Sequence, residues 1–193
     1  MLTRPLVSGL LSGVMVIAVA SLLPLASRAQ DTTPSRTTST TAAPPLVDAT
    51  LDSMRGGRRS LRDERGRRII VLFYEDRSHV EDNDALKGEL LRFVADNHLG
   101  ERIVTYGVAN LRDVGSVPET LVRSMIAPLV DRWGSDILLV WEGVMRREPF
   151  SFRTNAANTA IVDRTGHIVW RHVGRVEDAQ RRDFYRALRG ALR

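Results

Sequence analysis

The chain has 193 residues, 43% of them hydrophobic and 26% charged, with a net charge of +5 and no cysteine. That length and apolar content suit one domain with a substantial core. The lack of cysteine excludes disulfide stabilisation, thiolate catalysis and lipoprotein attachment, so stability must come from packing.

Residues 1–29 read as a secretory signal peptide. Arg4 supplies the positive start, Leu6 to Leu25 is apolar apart from small residues and Pro24, and Ser27-Arg28-Ala29 fits a small-x-small cleavage site. Gly9, Gly13 and Pro24 interrupt the run and argue against an uncleaved anchor, although about 20 apolar residues is the length that spans a bilayer. Loss of Arg4 and Arg28 with the leader takes the charge from +5 to +3, too mild for its sign to name a partner. Residues 30–46, rich in Thr, Ser and Pro, read as a disordered linker that cannot bury enough apolar surface to offset the entropy of ordering. The domain is expected over 47–193.

Within it, Asp48 to Asp63 reads as a small hairpin turning at Gly56-Gly57. The arginines from Arg55 to Arg68 are broken by Asp63 and Glu64 and carry no interleaved aromatics, which reads as a solvated face rather than a nucleic-acid site. Ile69 to Tyr74 is a continuous apolar run, the pattern of a strand buried on both faces. Asp84 to His98 has helical periodicity, with Asn83 or Asp84 as cap and Gly100 as stop. Arg102 to Asn110 reads as a second buried strand. Glu119 to Trp133 reads as a helix with Leu121, Met125, Ile126, Leu129 and Val130 inward, and Pro128 predicts a kink or a break. Asp136 to Trp141 is a third strand. Thr159 to Val173 is a hairpin whose turn, Asp163-Arg-Thr-Gly166, opens on Asp and closes on Gly. Val176 to Arg193 is an amphipathic helix with Phe184 and Leu188 inward.

Two stretches carry a resemblance. LRDERGRRIIVLFYED is similar to the L-x-D-x-x-G-K-x-x-V-L-x-F-W-A opening of the periplasmic thiol–disulfide oxidoreductase and peroxiredoxin branch of the thioredoxin-like superfamily. TAIVDRTGHIVWRHVG resembles that branch's T-x-F-L-I-D-x-x-G-x-I hairpin. The resemblance implies an α/β fold, a thioredoxin-like three-layer sandwich with a mixed central sheet. In that family the loop after the buried strand carries a Cys-x-x-Cys pair, and a cis-proline faces it. Here Ser78 and Glu81 stand near the cysteine positions, and Ala157-Asn158 stands just before Thr159 in place of the proline. Thiol–disulfide exchange and cysteine peroxidase chemistry are therefore excluded.

The loop still holds Asp76, Ser78, His79, Glu81 and Asp82. Carboxylates with an imidazole suit a divalent cation, with Asp76, His79 and Glu81 as candidate ligands, but their spacing matches neither a Ca²⁺ loop nor a zinc motif. Acidic residues before a helix are also explained by its dipole. A Ser78–His79–carboxylate triad is formally present, yet adjacent loop residues do not reach the geometry of nucleophile and base. Trp133, Trp141 and Trp170 are scattered one per element, as core residues are. The expectation is an exported, non-redox, thioredoxin-like accessory module that binds another exported protein or peptide. Its contact surface is expected at Asp76, Ser78, His79, Glu81 and Asp82, with Ala157, Asn158 and Thr159 opposite. No cofactor and no nucleic acid are expected, and membrane contact only if the leader is retained. The alternative is a metal-dependent, non-thiol enzyme built on His79.

Overall fold

The structure, a computed structural model, describes residues 45–193; the expected leader and nearly all of the expected linker lie outside the described residues. Strands β1 (Thr50–Ser53) and β2 (Arg58–Ser60) form the first hairpin, with Gly56 and Gly57 at φ of 96° and 68° in its turn. A 3-10 turn then leads to β3 (Ile69–Glu75), α1 (Asp84–Asp96), β4 (Ile103–Asn110), α2 (Glu119–Trp133) and β5 (Asp136–Val140). An irregular stretch follows, then the hairpin β6 (Asn158–Val162) and β7 (Ile168–Val173), and α3 (Asp178–Ala191).

All seven strands join one sheet in the order β2-β1-β5-β4-β3-β6-β7. β3, β4 and β5 run parallel, and every other pairing is antiparallel. The two parallel crossovers step the same way across the sheet, so their shared handedness puts α1 and α2 on one face.

β3 lies between β4 and β6, and each of its seven residues is buried. Its side chains divide by parity. Ile69, Val71 and Phe73 pack with Leu86 and Leu90 of α1 and with Phe184 and Leu188 of α3. Ile70, Leu72 and Tyr74 face Val47, Leu61, Met145 and Phe150. The 3-10 turns Leu61–Glu64 and Gly143–Arg146 and irregular chain cover that second face, with Phe152 5.3 Å from Tyr74 and 5.7 Å from Phe150 between ring centres. The three tryptophans all pack against core clusters while remaining partly exposed.

Helix α2 differs from its sequence reading. Val122 is its one fully buried residue, packed in a cluster with Leu111, Ile137 and Leu139, whereas Leu121 and Met125 are 51% and 55% exposed. The apolar stripe is wider than the part that packs on the sheet, so one edge stays in water. Pro128 does not break the helix, which runs through to Trp133. It sits on the exposed side with Ser124, whose carbonyl it cannot bond. Gly107 lets the end of α2 approach β4: a Cβ there would stand 3.3 Å from the Trp133 ring and 3.2 Å from Ile137. Asn83 does not cap α1 with its side chain. Its Oδ1 instead accepts the Val176 N–H at 2.8 Å, tying the start of α1 to the approach to α3. Among the described residues, no helix is long and apolar enough to cross a membrane.

Candidate functional site

β3 ends at Glu75, on the sheet face that the helices cover. Its carboxylate accepts a hydrogen bond from Lys87 of α1, Nζ to Oε2 at 2.7 Å, with both side chains at most 5% exposed. Lys87 also donates to the Val80 carbonyl at 2.8 Å and to Asp84 Oδ1 at 3.3 Å, so its three N–H groups are all engaged. The ammonium lies 3.7 Å from the centre of the Trp133 ring, a cation–π contact that joins α1 to α2. Burial pushes the Glu75 carboxyl up to about 7, against the opposing pull of the Lys87 charge. Among the described residues, the other Glu75 oxygen, Oε1, and the neighbouring Trp133 Nε1 are buried without a hydrogen-bond partner.

A cleft of about 590 Å³ opens here, at the carboxyl ends of β3 and β4. Its sides are the loop 76–80, the loop 111–117 and helix α2. Val122, Ile126 and Leu129 form the inner wall and Met125 and Val117 the outer one, while Asp76, Arg77 and Asp113 supply charge. The outer wall is apolar and exposed: Val117 is 37% accessible and Met125 55%, and Leu121 lies one helical turn before Met125. Size and lining match those of ligand sites, which are mostly apolar with a few placed polar groups.

The residues expected to form the site have separate fates. Asp76 and Ser78 line the cleft, and Asp76 Oδ1 accepts the Ser78 backbone N–H at 3.2 Å. His79 turns to Asp82, Nδ1 to Oδ2 at 2.9 Å, and that hydrogen bond raises the imidazole above its ordinary range. The imidazole is thus committed to Asp82 rather than to Ser78. Glu81 lies 3.7 Å from Arg132 of α2, which also holds Asp84 at 2.9 Å. Asp76, His79 and Glu81 therefore do not converge, and among the described residues no three His, Asp or Glu side chains are grouped as metal ligands.

The surface expected opposite the loop is closed. Ala157, Asn158 and Thr159 are each fully buried. β6 begins at Asn158, which pairs with Tyr74, and Thr159 pairs with Phe73. The Asn158 side chain is consumed locally: it accepts the Arg153 N–H at 2.8 Å and donates to the carbonyls of Arg153 and Ala156. Asn155 alone reaches the cleft from this side. The cis peptide bond of the region is Glu148–Pro149, away from the start of β6.

Sequence reasoning missed the Glu75–Lys87 pair and the outer wall of α2. Lys87 is the chain's single lysine and lies between Leu86 and Leu90 on the inward side of α1, which was the legible signal. Nothing local marked Met125 as exposed, because its spacing is that of a core position.

No protein-family profile and no curated protein sequence matches the chain. Solved structures do. A structure assigned as the thiol:disulfide interchange protein DsbE of Chlorobium tepidum superposes with a TM-score of 0.59 at 14% identity, over 78% of this chain and 96% of that one. The fold is thioredoxin-like. The exposed lipoprotein thioredoxin of Streptococcus pneumoniae gives 0.57 at 19% identity, over 75% of this chain and 99% of that one. A Sco-family cytochrome c oxidase assembly protein gives 0.56 at 12%, covering 77% and 93%. The likeness carries the fold, and the absence of cysteine separates this thioredoxin-like chain from dithiol chemistry.

Proposed function

We propose that the protein is an exported, thioredoxin-like binding module that recognises an exported protein or peptide without redox chemistry. The observation that carries this reading is the open, apolar-walled cleft beside the loop where the family's cysteine pair is expected. The loop holds no thiol, Glu81 is engaged by Arg132 and Asp82 by His79, and the exposed ridge of Val117, Leu121 and Met125 stands alongside. Clustered exposed apolar side chains beside a concave site are a recognition feature. Export rests on the Leu6–Leu25 segment and accords with the exposed lipoprotein among the structural neighbours.

Two assays test the reading. The purified protein with dithiothreitol and a disulfide substrate is expected to give the background rate; reduction above it overturns the non-redox assignment. Affinity capture from the exported fraction is expected to weaken with Met125→Glu and to survive Val169→Glu. Val169 is 44% exposed on β7, an outer strand of the sheet among the described residues and so a place where a partner strand would add. Loss with Val169→Glu alone assigns the contact to that edge.

A further inference from the structure

We propose that the outer ridge of α3 docks on an anionic phospholipid surface through Arg182, Arg186 and Arg189. This surface is separate from the cleft, which no α3 residue lines. The helix sorts its side chains by direction. Phe184 and Leu188 are fully buried in the core, and Arg181 turns to Glu89 of α1 at 2.7 Å. Arg182, Arg186 and Arg189 are all exposed. At 3.6 residues per turn, these three lie within about 60° of one another on the side opposite Phe184 and Leu188, along about 10 Å of the axis. Arg193, also exposed, follows just past the end of the helix.

No contact among the described residues accounts for this row. Like charges three and four residues apart weaken a helix. The helix dipole favours Arg189, in the last turn, but neither Arg182 nor Arg186. Asp183 holds Arg186 at 2.6 Å in an exposed pair, which contributes little. Arg182 and Arg189 make no ion pair and no side-chain hydrogen bond among the described residues.

The partner follows from what the ridge carries and what it lacks. Guanidinium groups are weakly hydrated forks that bind phosphate oxygens in pairs. Beside the row, Arg181, Arg182, Tyr185 and Arg189 line a shallow groove of about 320 Å³, with Asp178 the single carboxylate in its lining. A fitted protein contact is anchored by aromatic or aliphatic side chains seated in pockets. None of the large exposed hydrophobic residues is on α3, so the ridge has no such anchor. A row of cations suits a plane of laterally mobile phosphates, which needs no shape fit. The apolar side of α3 is already committed to the core, so the helix rests on the surface without inserting.

The test is co-sedimentation of the full chain with neutral phosphatidylcholine vesicles and with vesicles in which phosphatidylglycerol replaces part of the phosphatidylcholine. The anionic vesicles are expected to bind at least about twentyfold more tightly at low salt, and the difference is expected to collapse at about 0.5 M salt. One arginine near such a surface is worth about fivefold, so Arg182→Gln and Arg189→Gln are each expected to weaken anionic binding by about that factor, and the pair by about twentyfold. Arg67→Gln with Arg153→Gln removes the same charge from exposed positions outside α3 and is expected to change binding by less than about twofold. The apolar Leu6–Leu25 segment meets both vesicles alike, so the contrast between them reads charge. Equal binding to both vesicles, binding to neither, or equal losses from the two arginine pairs overturns the proposal.

Discussion

The end of β3 has two flanks that the same strand treats in opposite ways. Toward β6, the chain closes: Ala157, Asn158 and Thr159 are buried, and Asn158 satisfies three backbone groups with one side chain. Toward β4, it stays open: α2 stands off behind the loop 111–117, leaving a cleft with an exposed apolar wall. In a thioredoxin-like fold both flanks border the loop after the central strand. Closing one and leaving the other open puts the accessible cleft on the α2 side rather than the β6 side.

The contrast is sharpest at Lys87. Lys87→Met leaves Glu75 buried without its cation and is expected to lower stability by about 3–5 kcal/mol at pH 8, measured by urea unfolding. The loss shrinks at pH 5, where Glu75 is protonated and carries no charge to strand. On the closed flank, Asn158→Ala is expected to cost about 2–3 kcal/mol, because a buried side chain gives up three hydrogen bonds to partly buried backbone groups; a cost near zero would show that this flank is not held shut as described.

Glu75 also sets a pH signature. Its carboxyl is raised from an ordinary 4.5 to about 7 by burial. The native state therefore binds a proton that the unfolded chain has released, and stability contributed below pH 4.5 is lost as pH rises through 7. The full span amounts to about 3 kcal/mol. Glu75→Gln is expected to flatten that part of the stability–pH curve; an unchanged slope contradicts a buried, proton-binding Glu75. The smallest effects belong to the outer wall. Leu121→Ala and Met125→Ala should each shift stability by no more than about 0.5 kcal/mol in thermal unfolding, because both side chains are more than half exposed. A larger loss would mean that the wall is core after all.

Much of the fold was legible. The Ile69–Tyr74 run, the Gly56-Gly57 and Asp163–Gly166 turns and the amphipathic α1 and α3 all encode their structure locally, through periodicity and turn chemistry. The site was legible only in part. The structure places Asp76 and Ser78 beside a cleft, while the partners of His79 and Glu81 depend on Asp82 and on Arg132 of another helix. Ala157 and Asn158 read as a changed loop just before the hairpin that starts at Thr159, whereas the pairing of Asn158 itself with Tyr74 was not legible. Met125 sits at core spacing and stays in water because the packing of α2 on β5 uses Val122 instead. Such facts belong to tertiary contact and leave no mark within a short window of sequence.

The most direct test of the open-flank account is site-specific photo-crosslinking in cells that express the protein. A photoreactive residue is placed at Met125 on the open flank and, separately, at Arg153, whose exposed side chain lies on the closed one. The account predicts a discrete adduct from position 125 and none from position 153; an adduct from 153 alone would contradict it.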